Sequence, residues 1–193
     1  MFIALLLAAG QGRRFREAGG ASWKLLADVA PSRTVLRQSC ENLLAPGWPV
    51  HVVTGAFDAD IRNALQGLDV TFVRNADPDA GLGSSIACGV AATPDAEGWL
   101  VALGDMPFIQ PGTICRVADS LAHGAAIAFP VSNGRRGHPV GFSRRFAVEL
   151  MSLAGDTGAQ SIVAPNKHVW VPVDVNDEGI LRDIDVPGDL RPE

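Results

Sequence analysis

Short, almost uninterrupted apolar runs recur along the chain at Phe2–Leu7, Val50–Thr54, Val70–Val73, Trp99–Leu103 and Ala125–Phe129. Each has the length of a strand and is too short for a buried helix. Because polar residues do not regularly alternate with the apolar ones, both faces of such a strand need covering, as in a parallel sheet flanked by helices. The segments between the runs have helical periodicity. In Ser32–Leu44, residues Val35, Leu36, Ser39, Cys40, Leu43 and Leu44 share one face, with Ser32 placed as N-cap. Asp58–Leu65, Ser84–Ala92, Thr113–Ala122 and Phe146–Leu153 read as further helices. Strand and helix in alternation predict an α/β fold with a doubly wound, mostly parallel sheet. After Phe129 the rhythm changes. PVSNGRRGHPVGF carries Asn133-Gly134, a strong hairpin signal, and His168–Val175 alternates apolar and polar residues. The later part is therefore expected to add antiparallel strands. No linker, repeat or low-complexity segment interrupts the chain, so residues 1–193 are expected to form a single domain.

Composition removes several functional classes. Apolar residues make up 47% and charged residues 19%, a globular profile. No apolar stretch approaches the roughly 20 residues that span a bilayer, so no membrane partner is expected. A net charge of −5 argues against nucleic acid as a partner, which calls for a basic face. It leaves room for an anionic small substrate held by a local cluster of Arg or Lys. Cys40, Cys88 and Cys115 lie far apart with no CxxC pair and read as buried small hydrophobes in a reducing compartment. The opening run has no preceding Lys or Arg and so does not read as an export signal, and a cytoplasmic location is expected.

In open α/β sheets, ligands bind beyond the carboxyl ends of the strands. After the first run comes Ala8-Ala9-Gly10-Gln11-Gly12-Arg13-Arg14. The glycines let backbone N–H groups converge on one point, and arginine adds a planar cation that matches phosphate. Lys24 follows after the stretch Phe15–Trp23, which must fold back if the ammonium is to meet the same phosphates. Neither GK[ST] nor GxGxxG is present, and that disfavours a Walker loop or a Rossmann dehydrogenase. After the third run comes Asn75, then Gly81-Leu82-Gly83-Ser84-Ser85, which suits either a nucleoside contact or a plain loop with a serine cap. After the fourth, Gly104-Asp105-Met106-Pro107 sets a carboxylate at a buried strand end, where it can hold Mg²⁺ against phosphate oxygens. In DIDVPGDL, Asp185 is either an N-cap or a metal ligand.

The ordered set LAAGQGRR, the later lysine, GLGSS, GDMP and DIDVPGDL resembles the MobA-like NTP transferase family over nearly the whole chain. GRRGHPVGF and GDTGAQSIV lean toward its molybdenum cofactor cytidylyltransferase branch. The resemblance implies a Rossmann-like, GT-A type nucleotidyltransferase domain. It implies catalytic roles for Arg14, Lys24 and Asp105, and Mg²⁺ held by Asp105 and Asp185. The amides of Ala9–Arg14 would cradle the triphosphate, Gly81, Ser84 and Ser85 would lie by the base and ribose, and Leu7, Ala8, Gly10, Gly12, Lys24, Asn75 and Gly104 would also belong to the nucleotide site. Gly137 and His138 would meet the acceptor, although the histidine suits a turn equally well. The implied reaction transfers CMP from CTP to a phosphorylated acceptor and releases pyrophosphate. The implied partners are CTP or GTP, a molybdopterin-type or other phosphorylated acceptor, and a molybdoenzyme or its chaperone. Two departures stand out: Phe15 and Arg16 replace the family's methionine and glycine, and Gln160 replaces an arginine of the acceptor segment. The rival readings are the same chemistry on a sugar phosphate or methylerythritol phosphate, and a non-catalytic nucleotide-binding module.

Overall fold

The computed structural model describes residues 1–20 and 23–190. In chain order it builds β1 (Phe2–Ala8), α1 (Arg13–Glu17), β2 (Asp28–Ala30), β3 (Arg33–Thr34), α2 (Val35–Leu43), β4 (Val50–Thr54), α3 (Asp58–Ala64), β5 (Val70–Arg74) and α4 (Leu82–Ala91). It continues with β6 (Gly98–Leu103), α5 (Pro111–Ala122), β7 (Ile127–Ser132), β8 (Arg135–Arg136), β9 (Val140–Ser143), α6 (Ala147–Met151), α7 (Gln160–Val163) and β10 (Trp170–Asp174). The main sheet runs β10-β7-β9-β6-β1-β4-β5.

β1 occupies the centre, parallel to β6 on one side and β4 on the other. Its continuous apolar run has a direct cause. Ala4, Leu6 and Ala8 face a core that includes Val35, Leu36 and Leu43 of α2, Ile61 of α3 and Val117 of α5. Ile3, Leu5 and Leu7 face the opposite core with Ile86 and Val90 of α4. With both faces covered, no position tolerates a polar side chain.

The hairpin signal is borne out: β7 and β8 pair antiparallel across Asn133 and Gly134, whose φ values of 51° and 72° suit a type I′ turn. β9 is antiparallel to both β6 and β7. The alternating stretch near residue 170 differs from expectation, because β10 joins the edge parallel to β7. β10 is an edge strand with every residue at least partly exposed, and its alternation carries no information on direction. The α2 cap also differs. Thr34 accepts the Arg37 N–H at 3.2 Å, while Ser32 sits at φ 58° in the turn between β2 and β3. Cys40 is fully buried and its thiol pKa is pushed up to about 12 by that burial, whereas Cys88 and Cys115 are only half-buried. No helix among the described residues is long and apolar enough to cross a membrane.

Candidate active site

The carboxyl ends of β1 and β6 open into a cavity of about 570 Å³. Leu7, Ala9, Gly10, Gly12, Arg14, Lys24, Gly81 and Ser85 line it, together with Asp105 and Asp185. Gly12, at φ 60°, begins the short α1 in a left-handed conformation. A Cβ there would press on the Trp23 ring at 3.0 Å.

Trp23 explains how Lys24 returns to the strand end. Its indole N–H donates to the Gly10 carbonyl at 3.2 Å, and its ring stacks on Phe57 with centroids 4.6 Å apart. Buried Phe15 anchors the other end of the segment and packs against Gly20, where a Cβ would fall 2.2 Å from the ring. Trp23 therefore backs the glycine turn from the core and does not line the cavity. Ala21 and Ser22, within the same stretch, lie outside the described residues.

Lys24 is the hub of the site. Its Nζ lies 2.7 Å from Asp105 Oδ2 and 3.3 Å from Asp185 Oδ1, with only 13% of the side chain exposed. Arg14 Nη1 reaches Asp185 Oδ2 at 3.1 Å from the rim, its own side chain 81% exposed. Such an exposed pair contributes little to stability and leaves the guanidinium free to turn toward a ligand. Burial pushes the Lys24 ammonium toward deprotonation, but Asp105 and Asp185 outweigh it and hold the pKa above the ordinary lysine value. Burial likewise opposes ionisation of Asp185, yet Lys24 and Arg14 prevail and depress its carboxyl below the usual range. One ammonium thus bridges the two carboxyl side chains.

Backbone bonds fix this register. The Ile184 N–H donates to the Asp105 carbonyl at 2.9 Å, which brings the DID segment against the end of β6. The capping duty left open for Asp185 falls to Asp189, whose Oδ2 accepts the Asp185 and Val186 N–H groups at 2.9 and 2.8 Å. The Asp185 side chain is therefore available to the cavity.

Other expected residues support the wall from behind. Asn75 Nδ2 donates to Ser84 Oγ at 3.0 Å and Ser85 Oγ at 3.2 Å, and Ser84 Oγ donates to the Gly81 carbonyl at 2.8 Å. Asn75 and Ser84 thus hold the loop, while Ser85 and Gly81 face the cavity. Ala8 points into the core, and the Gly104 N–H is spent on the Leu7 carbonyl at 2.9 Å. Arg13 also lines the cavity, beside Gln11 and Asp79. Asp156 was not anticipated. It arrives on a loop that meets the Gly81 loop through Gly83 N–H to Gly155 O and Gly155 N–H to Ala80 O, both 2.9 Å. A Cβ on Gly81, at φ 91°, would fall 2.4 Å from the Gly155 carbonyl carbon, so glycine is what lets the two loops touch.

A second cavity of about 190 Å³ shares the walls Leu7, Leu82 and Leu103 with the first and contains Gly137 and His138. Burial lowers the His138 pKa, more than Asp105 and a hydrogen bond to the Val101 carbonyl raise it, so the ring is neutral at neutral pH. Its Nδ1 is buried without a partner among the described residues. The His138–Pro139 bond is cis. Gly137 has a structural duty as well, because a Cβ there would stand 2.3 Å from the Ile180 carbonyl oxygen. Gly137→Ala is expected to destabilise the fold by about 1–3 kcal/mol, read as a lowered Tm. An unchanged Tm would show that the close approach relaxes freely.

The residues present fit a divalent cation. Asp105 and Asp185 already converge on one cationic atom, and Asp105 Oδ1 is a buried acceptor with no partner among the described residues. Two carboxylates with room for phosphate oxygens are a donor set suited to Mg²⁺. No arrangement of three or more His, Cys, Asp or Glu side chains suited to a metal occurs among the described residues.

The chain is 29% identical over 189 residues to nicotine blue oxidoreductase of Paenarthrobacter nicotinovorans, covering 94% of this chain and 90% of that protein. A nucleotidyl transferase from Methanothermobacter thermautotroptrophicus superposes with a TM-score of 0.84 at 26% identity, covering 98% of this chain and 94% of that one. A Mycobacterium tuberculosis protein solved as a manganese complex superposes with a TM-score of 0.74 at 27% identity, covering 97% of this chain and 95% of that one. The sequence matches the MobA-like NTP transferase domain over residues 4–170, and the chain belongs to that family.

Proposed function

We propose that the protein is a divalent-metal-dependent nucleotidyltransferase that moves CMP from CTP to a phosphorylated acceptor of the molybdopterin type and releases pyrophosphate. The observation that carries this reading is the unbroken charge sequence Arg14–Asp185–Lys24–Asp105 on the cavity that also holds the Gly10–Arg14 turn. The nucleotidyltransferase among the solved relatives supports it, as does the manganese complex for a divalent metal.

In this reading the triphosphate lies against the glycine turn, and Arg14 leaves Asp185 to pair with its oxygens. Lys24, held on the cavity floor, neutralises charge on the oxygens of the phosphoryl group under attack. Asp105 and Asp185 would hold Mg²⁺, which supplies charge neutralisation at the phosphate oxygens. A phosphate oxygen of the acceptor attacks the α-phosphorus in line, and pyrophosphate leaves. The nucleophile is already anionic, so positioning and charge carry the catalysis with no general base.

A thermal-shift screen of CTP, GTP, ATP and UTP with Mg²⁺ tests the reading. CTP is expected to raise the Tm most, by an amount that grows with its concentration. No shift with any of the four, alongside a shift with a nicotinamide dinucleotide alone, would favour the redox chemistry named for the relative from Paenarthrobacter nicotinovorans.

A further inference from the structure

The two cavities differ sharply in charge. Arg13, Arg14, Lys24, Asp79, Asp105, Asp156 and Asp185 all border the first. Among the described residues, Arg136 carries the only permanent charge bordering the second, whose walls include Leu7, Ile86, Val101, Val140, Phe142 and Val163. Arg136 sits on β8, half-buried. Its guanidinium lies 5.3 Å from the Phe129 ring centroid and 5.2 Å from that of Trp170, and it donates through Nη2 to Gln160 Oε1. Among the described residues no carboxylate is within ion-pair distance of it. A guanidinium held by two aromatic faces and a neutral amide keeps unused donors in a fixed fork, the arrangement that binds an oxyanion with little ordering cost.

Resting on the transfer reading above, we propose that the second cavity is the acceptor's body site. Its occupant is an apolar or aromatic ring bearing one anionic group, and Arg136 is the residue that holds that anion. The position that the family resemblance fills with arginine is Gln160 here, and the amide orients the Arg136 cation in its place. The size agrees, since an apolar cavity of about 150 Å³ takes a benzene ring. The lining also selects against a sugar body. Among the described residues Thr157, Gln160 and His138 are the only other polar side chains in the lining, and the Gln160 carbonyl is already engaged, so a ring of hydroxyls would be buried without partners.

The test uses phenyl phosphate and benzenesulfonate as anionic ring probes, with ribose 5-phosphate as the sugar control. The indole N–H resonance of Trp170, beside Arg136, is followed by NMR in the full chain. Both ring probes are expected to shift it saturably and ribose 5-phosphate to leave it unmoved. Arg136→Met is expected to weaken ring-probe binding about tenfold or more. Gln160→Glu, which keeps Arg136 but gives it a carboxylate partner, is expected to weaken it similarly, while Mg–CTP binding stays at the native value in both variants. Ring probes that never reach Trp170, that bind Arg136→Met as tightly as the native protein, or that ribose 5-phosphate displaces would overturn the proposal. If the probes behave as stated and Mg–CTP binds none of the proteins, the nucleotide reading fails and the anion site stands.

Discussion

Asp105→Asn is expected to lower the rate of pyrophosphate release by about 10²–10³-fold or more, with the fold intact. The carboxylate sits at the end of the central pair β1 and β6, and its Oδ2 receives the Lys24 ammonium at 2.7 Å. An amide keeps the shape and one acceptor oxygen, so Lys24 retains a hydrogen bond there as well as its contact with Asp185. In the proposed reading, what disappears is the negative charge that would hold a divalent cation against the transferring phosphate. Stability should change by about 1 kcal/mol or less, a Tm shift of about 2–4 °C for a chain of this size. Initial rates beside a melting curve separate the two effects. A variant that melts like the native protein and turns over at the native rate would remove Asp105 from the chemistry.

Lys24→Met is expected to produce a rate loss of the same order, with a different signature in stability. Lys24 bridges Asp105 and Asp185, and removing it leaves two carboxylates facing each other without their shared cation. Leaving a charge pair half-broken costs more than removing it whole, though partial exposure of Asp185 to water softens the effect. The variant should therefore melt below the native protein and recover more of its Tm on addition of Mg²⁺ than the native protein gains. The sign of the pH response follows from the depressed Asp185 carboxyl. Its contribution is present above the unfolded carboxylate pKa and is lost as pH falls through the lower folded value. Without Lys24 that acid-side loss should shrink. Melting curves across acid pH, with and without Mg²⁺, check both statements.

What the sequence made legible follows from where single residues are forced. Phe2–Leu7 reads as a doubly buried strand because both of its faces meet helices. Asp105 stands out because a carboxylate directly after such a run has few purely structural reasons to be there. Lys24 was legible as a residue, but its reach was not. The fold-back depends on Trp23 donating to Gly10 and Phe15 packing on Gly20, contacts that local spacing does not encode. Arg13 and Asp156 were hidden for a related reason. One looks like any exposed neighbour of Arg14, and the other reaches the cavity only through the pairing of the Gly81 and Gly155 loops. Arg136 was hidden most fully, since its setting needs Phe129, Gln160 and Trp170 from three separate segments.

In the proposed function, the Arg14–Asp185–Lys24–Asp105 array transfers a nucleotidyl group from a nucleoside triphosphate. The most direct test of this claim supplies the purified chain with CTP, Mg²⁺ and molybdopterin and follows pyrophosphate together with the mass of the acceptor. The expected result is pyrophosphate released in step with an acceptor heavier by CMP, faster with CTP than with GTP, and halted by EDTA. No pyrophosphate from any nucleoside triphosphate, or release that continues unchanged in EDTA, would contradict the claim.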